Sequence, residues 1–249
     1  MRKTQLKKYE RQMILPLIGR QGQEKILKAK VLLVGAGGIG SPCALYLAAA
    51  GVGTIGIVDP DTVKVRDLHR QILHSTKTVG RPKVFSAEQR LNELNKDVKV
   101  VTYKARISPE NISGIIKDYD IVVDASDNFP TRYLVNDACV ASGKRLVHGS
   151  VFGIEGQVFL IVPGKSACYR CLFPESAPEE LFPIYKQRGV YNIAAGTVGI
   201  MQANEVLKSI LKAENILFGK LLFFNVLDYT FRQVRTNKDP RCLVCGKPR

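Results

Sequence analysis

Gly35, Gly37 and Gly40 close the apolar run Val31-Leu-Leu-Val34 and open into an Ala- and Leu-rich stretch that begins at Ser41. A strand, a Gly-x-Gly-x-x-Gly turn and a helix N-terminus in that order let backbone amides approach a phosphate, whose charge the positive end of the helix dipole favours. Asp59 ends the next apolar run, about twenty residues on, where a carboxylate can accept ribose hydroxyls. Arg70, in the polar stretch Arg66-Asp-Leu-His-Arg-Gln71, and Lys83, after the turn Gly80-Arg-Pro82, add two cations near that turn. Two cations suit a triphosphate better than the diphosphate of a dinucleotide. Asp127, just past the apolar run that starts at Asp120, suits either Mg²⁺ held against those phosphates or the N-cap of a helix expected from Pro130. Asp124, inside that run, is expected to face a buried hydrogen-bond partner.

Four of the six cysteines form two Cys-x-x-Cys pairs, Cys168 with Cys171 and Cys242 with Cys245. Four thiolates complete a tetrahedral Zn²⁺ site with no open position, which is structural and not catalytic. A redox pair would not require the second one. Zinc is therefore expected, tying the C-terminal tail back to the connection that holds the first pair. The three histidines, His69, His74 and His148, form no Ser-His-Asp or Cys-His arrangement, and His69 is expected to be a loop packing residue. A reaction in which an ionised carboxylate attacks an α-phosphate needs no base, only alignment and charge neutralisation.

The elements that must position these groups follow from periodicity. Strands are expected over 31–34, 54–58, 98–105, 120–125 and 146–150, alternating with helices over 41–50, 81–95, 109–117 and 130–142. That alternation predicts an α/β fold, a doubly wound and mostly parallel sheet with its ligand site at the carboxyl ends of the strands. A basic stretch over 1–30 is expected to be an arm and a helix ahead of the first strand. Beyond residue 153 the texture changes: a strand over 157–162, a long connection punctuated by Pro163, Pro174, Pro178 and Pro183, a helix over 197–211, and strands over 221–226 and 231–235. One continuous domain over 1–249 is expected, with an arm (1–30), a nucleotide-binding core (31–153) and a specialised last third (154–249).

The 249 residues are enough for one large α/β core, and 45% hydrophobic with 24% charged residues is ordinary for a globular chain. A membrane span is not expected, nor a signal peptide, so the cytoplasm is the expected location. The net charge of +15 favours acidic partners. Nucleic acid is not favoured as that partner, because the basic residues are spread along the chain and not interleaved with aromatics in blocks.

Taken together, Arg11-Gln12, Gly35-Ala-Gly-Gly-Ile-Gly40, Asp59-x-Asp61, Leu68-His-Arg-Gln71, Gly80-Arg-Pro-Lys83, Ser126-Asp-Asn128, Gly156-Gln157 and both cysteine pairs resemble the ThiF/MoeB/HesA family of ubiquitin-activating-like adenylyltransferases. The resemblance implies a Rossmann-like nucleotide site and an ATP-dependent enzyme. Such an enzyme adenylates the C-terminal glycine of a small, acidic, ubiquitin-like sulfur-carrier protein with a Gly-Gly tail and releases pyrophosphate. It implies nucleotide contacts at Gly38, Gly40, Asp59, Asp61, Arg66, Asp67, Arg70, Lys83, Asp127 and Asn128, Mg²⁺ at Asp127, and structural zinc on the four paired cysteines. It also implies a homodimer in which Arg11 reaches the phosphates of the other subunit's site. Two positions depart from the family pattern. Asp67 stands where many relatives have Asn, beside Arg66. Tyr185 stands where members that form a covalent carrier link have a cysteine in the crossover loop, and no cysteine lies between Cys171 and Cys242. The expectation is an enzyme that stops at the acyl adenylate and hands it to an external sulfur donor. A tRNA-modifying ATP-dependent relative, an NAD-dependent oxidoreductase and a non-catalytic scaffold are the alternatives.

Overall fold

In a computed structural model, which describes residues 1–175 and 189–246, one eight-stranded sheet carries the chain in the order β3-β2-β1-β4-β5-β6-β7-β8. The first five strands of the doubly wound part, β1 (Lys30–Val34), β2 (Thr54–Val58), β3 (Lys99–Tyr103), β4 (Ile121–Asp124) and β5 (Arg145–Phe152), pair in parallel. The remaining three, β6 (Glu155–Ile161), β7 (Lys220–Asn225) and β8 (Thr230–Arg235), extend the sheet antiparallel. The order reverses between β1 and β4, and such a reversal opens a crevice at the carboxyl ends of those strands. The glycine turn follows β1 and Ser126–Asn128 follow β4, so the two stretches meet at that crevice.

Side chains leave a strand on alternate faces, and here both faces are buried. Val31, Leu33, Ile55, Ile57, Ile121 and Val123 pack on one side, where helices α2 (Gly19–Lys28), α3 (Gly40–Ala50), α4 (Lys83–Leu94) and α8 (Asn192–Leu211) bring Ile26, Leu47, Ala87 and Val198. Leu32, Val34, Val58 and Val122 pack on the other, under α5 (Ile112–Ile116), α6 (Phe129–Ala141) and α7 (Tyr169–Leu172), with Ile116, Val135 and Tyr169. The N-terminal helix α1 (Lys3–Met13) buries Tyr9 against Gly51, where its hydroxyl accepts from Asn95 Nδ2 at 2.8 Å. Among the described residues no helix is long and apolar enough to cross a membrane.

Every expected element is present, with boundary differences that have local causes. The helix expected over 109–117 shrinks to Ile112–Ile116, because Asn111 Oδ1 accepts from Ser108 N at 3.0 Å and its Nδ2 donates to Arg106 O, folding 108–111 into a turn. Strand β5 runs two residues past the expected end at 150, since Phe152 pairs with Glu155 in a hairpin with β6. Helix α8 starts at Asn192, five residues before the expected 197; Gly196 reads as a breaker in sequence but sits inside the helix, against which no neighbouring atom presses.

Candidate active site and metal centre

Gly35 has φ of +105°, open to glycine and rarely adopted by other residues, and a Cβ there would lie 2.8 Å from Ala125 O. Gly40 is closer still to its neighbours: a Cβ would stand 2.0 Å from Gly35 O. The start of α3 is thus folded tightly back on the strand end. Gly40→Ala is expected to lower Tm by roughly 5–10 °C, because a backbone carbonyl cannot move aside without opening the turn; scanning calorimetry reads this. Gly38 faces Arg70, and a Cβ there would meet the arginine stem at 3.1–3.2 Å.

Asp59 ties the turn to β2. Its Oδ2 accepts from Ala36 N at 2.8 Å and its Oδ1 from Asp61 N at 2.9 Å. Burial raises its carboxyl above the usual range, an effect that Lys83 and the two amides oppose. His74, which the sequence did not single out, holds the same turn from below. A carbonyl can only accept, so Nε2 carries the hydrogen and donates to Ala36 O at 3.0 Å, leaving Nδ1 to accept from Ser86 Oγ at 2.9 Å. Its signal in sequence was weak, a lone histidine in a loop.

Burial lowers the His74 pKa below its ordinary 6.5, so the folded ring stays neutral. Burial likewise keeps His148 neutral against the pull of Asp124. When pH falls below 6.5 the unfolded chain takes up protons on these rings more readily than the folded chain does. Stability is therefore full above that pH and is lost as pH falls through it, by at most about 1.4 kcal/mol per pH unit per ring. Thermal melts from pH 7.5 to pH 5.5 are expected to show a falling Tm, with a shallower fall in His74→Gln.

The cations converge as expected. Lys83, at the start of α4, is buried with Nζ 3.2 Å from Asp61 Oδ2. Arg70 is partly exposed, its Nη2 3.8 Å from Asp67 Oδ1 and its Nη1 3.4 Å from Arg66 O. Asp67, the departure from the family pattern, is buried, and its Oδ2 accepts from Lys64 N at 3.1 Å, closing the short 3₁₀ turn Val65–Asp67. Its charge is spent on that cap and on Arg70. Arg66 and Asp61 are exposed at the crevice rim. His69 is exposed, not packed: its Nδ1 meets Arg66 O at 2.9 Å, and Asn192 Nδ2 at the start of α8 donates to His69 O at 3.2 Å. Ala195 of the same first turn lies within 3.5 Å of the Gly38 Cβ position, so α8 borders the phosphate turn.

Beyond β4 the ambiguity over Asp127 is removed on one side. Asn128 caps α6, its Oδ1 accepting from Thr131 N at 3.0 Å, while Asp127 is exposed with one long approach, 3.5 Å, from Asn128 Nδ2. A carboxylate free of structural duty at this place fits a hydrated Mg²⁺. Asp124 finds its expected partner in His148, Nδ1 donating to Oδ2 at 2.8 Å, and its Oδ1 also accepts from Ser126 N at 3.0 Å and Ser126 Oγ at 2.6 Å. Burial alone would raise this carboxyl; His148, Arg132 and Ser126 hold it below the usual range.

Arg11 lies elsewhere. It is exposed on α1, next to Gln12, whose Nε2 donates to Ala50 O at 3.0 Å. Ala50 is the C-terminal end of α3, and the glycine turn is at the other end, so Arg11 is not brought to the site of its own chain.

The four paired cysteines come together on the α7 side. Their sulfurs all lie within 4.8 Å of one another, with Cys168–Cys171 at 3.9 Å, Cys168–Cys242 at 3.6 Å and Cys171–Cys245 at 3.3 Å. A tetrahedral Zn²⁺ with Zn–S of about 2.3 Å sets its sulfurs about 3.8 Å apart, so the donor set and its spacing fit a closed zinc site. Burial pushes the Cys168 thiol up to about 11, which a divalent cation would reverse. Asp239 N donates to Cys171 Sγ at 3.4 Å, and the Arg170 guanidinium clasps both Asp137 oxygens on α6, so the tail is fixed back onto the body of the domain. Tyr185 lies outside the described residues.

The chain matches the ThiF family over residues 9–244. It is 47% identical over 249 residues to the sulfur carrier protein adenylyltransferase of Thermus thermophilus, covering 98% of this chain and 92% of that protein. It is 44% identical to the SAMP-activating enzyme E1 of Haloferax volcanii, covering 98% and 90%. With the adenylyltransferase and sulfurtransferase MOCS3 of Anopheles gambiae it shares 46% identity but spans only 55% of that longer protein. Among solved structures, E. coli MccB with MccA-N7isoASN superposes with a TM-score of 0.85 at 25% identity over 97% of this chain and 75% of that one. E. coli MccB with ATP gives 0.81 at 26% identity over 90% and 69%.

Proposed function

Because this chain belongs to the ThiF family, we propose that it is an adenylyltransferase that uses ATP to activate the C-terminal glycine carboxylate of a small, acidic, ubiquitin-like sulfur-carrier protein with a Gly-Gly tail. The observation that carries the reading is the convergence of Arg70, Lys83, Asp59 and the glycine turn at one crevice, with Asp127 exposed across it. NAD chemistry would leave Lys83 and Asp127 without a task.

In this reading the amides of the turn, with Gly38 and Gly40 close to the ligand, and Asp59 hold the nucleotide, and Asp61, Arg66, Asp67 and Asn128 line the rim. Arg70 and Lys83 neutralise the phosphates, and Arg11 of a second subunit adds a third cation in a homodimer. Asp127 holds Mg²⁺, which supplies charge neutralisation along the triphosphate when bound. The carrier's carboxylate oxygen bonds to the α-phosphorus as the bond to the bridging oxygen breaks, and pyrophosphate leaves with that electron pair. The carboxylate is already ionised, so no histidine base is required, in accord with the structural duties of His74 and His148. Cys168, Cys171, Cys242 and Cys245 hold structural Zn²⁺. We read residues 1–249 as one adenylation domain of the cytoplasm, with 154–249 carrying carrier-binding and zinc-bearing parts. The net charge of +15 speeds encounter with an acidic carrier.

Carrier-dependent exchange of labelled pyrophosphate into ATP tests the reading: exchange is expected with the full-length carrier and none with one lacking its terminal glycines. With Tyr185 in the cysteine position, intact-mass spectra after turnover are expected to show no carrier adduct on the enzyme, the acyl adenylate passing to an external sulfur donor. Exchange driven by tRNA and not by a carrier protein would favour the nucleic-acid alternative.

A further inference from the structure

Asp124, His148 and Phe159 stand in register across β4, β5 and β6, and this row is capped by Tyr169 from α7. The His148 ring is fully buried, with Phe159 and Tyr169 ring centroids at 5.1 and 4.8 Å. One ring nitrogen donates to Asp124; the other is buried with no hydrogen-bond partner, as is Arg132 Nε beside it. The aromatic walls therefore fix the ring plane, and all of its polar capacity that is used goes to one carboxylate. That carboxylate in turn accepts both polar hydrogens of Ser126, while Gln202 Nε2 on α8 holds the Asp124 carbonyl at 2.7 Å. Arg132 approaches Ser126 O from the far side at 3.5 Å and stacks on Phe129. Both hydrogen bonds that Ser126 donates thus trace back to the buried row, with Arg132 adding one long contact to its carbonyl, and the next residue is Asp127, which has no structural tie of comparable strength.

We propose that His148 is a positioning residue for adenylation: through Asp124 it fixes Ser126 and so sets where Asp127 presents its carboxylate to the magnesium on the phosphates. This rests on the reading of Asp127 given above. His148 touches neither nucleotide nor carrier. Replacing it with phenylalanine keeps the ring between Phe159 and Tyr169 and removes the donor. The Asp124 carboxylate then keeps Ser126 as its hydrogen-bond partner and loses the bond to its other oxygen, and the loop gains freedom.

Calorimetric titration of His148→Phe with MgATP and with AMP, alongside its melting curve, separates positioning from stability. The expected result is a folded protein whose Kd for MgATP rises by about tenfold, while Kd for AMP, which needs no magnesium, changes by less than threefold. Should His148→Phe fail to fold, Ser126→Ala carries the test, with an expected three- to fivefold rise confined to MgATP. Equal losses for both nucleotides, or unchanged MgATP affinity in a folded variant, would overturn the proposal. Failure of the unsubstituted protein to bind either nucleotide would instead sink the functional reading itself.

Discussion

Lys83→Ala is expected to lower carrier-dependent ATP–pyrophosphate exchange by about a hundred- to a thousandfold, the range seen when one preorganised charge is removed from a developing anion. The side chain is nearly buried and within 3.2 Å of Asp61, and Asp59 sits in the same pocket under its influence. Without it Asp59 and Asp61 face the phosphates and lose the cation that sits beside both of them. The fold is expected to survive, because the helix begins through backbone groups, Lys83 N donating to Asp61 O at 2.9 Å. The comparison that matters is the melting curve against the exchange rate: a Tm within a few degrees of the parent and a collapse in rate. A loss of less than about fivefold would place Lys83 outside the phosphate site. Arginine at this position is not expected to rescue fully, since a planar fork differs from a compact ammonium.

The second large effect concerns stability. Cys245→Ser, or removal of metal by a strong chelator, is expected to lower Tm by about 10 °C, the loss of a closed thiolate site that ties residues 242–246 to α7. The cluster is tied to the tail through Asp239 N on Cys171 Sγ, and none of its four cysteines is among the residues placed at the crevice. Metal analysis is expected to give one zinc per parent chain and none in the variant. Proteolysis should then begin in the freed tail, after β8. A parent chain without zinc, or a variant that kept the parent Tm, would contradict the reading of a structural site.

Much of this is legible in the amino-acid sequence. Strands buried on both faces read as continuous apolar runs, and β1, β2 and β4 are such runs, so their sites of emergence were readable together with the residues just beyond them: the glycine turn, Asp59 and Asp127. Local chemistry also showed in sequence at the cysteine pairs. What stayed hidden depended on contacts between distant segments. His74 reaches the turn only because the loop after β2 folds back between Ala36 and Ser86 of α4. The choice between Asp127 and Asn128 as helix cap rests on one backbone amide, Thr131 N, and two adjacent polar residues carry no sequence cue to decide it. Gly196 disguised the first turn of α8, and with it Asn192 and the border of the site. Arg11 carried a role from resemblance alone, and it lies on α1, away from the glycine turn of its own chain.

The central claim is that this crevice joins a carrier's terminal carboxylate to AMP. Incubating the purified protein with MgATP, pyrophosphatase and a Gly-Gly-tailed carrier, then weighing the intact carrier, measures that directly. A carrier heavier by one adenylyl group at its terminal glycine, absent when ATP or the glycines are withheld, is the predicted result. A carrier of unchanged mass while ATP is consumed, or a mass gain that persists without its glycine tail, would contradict it.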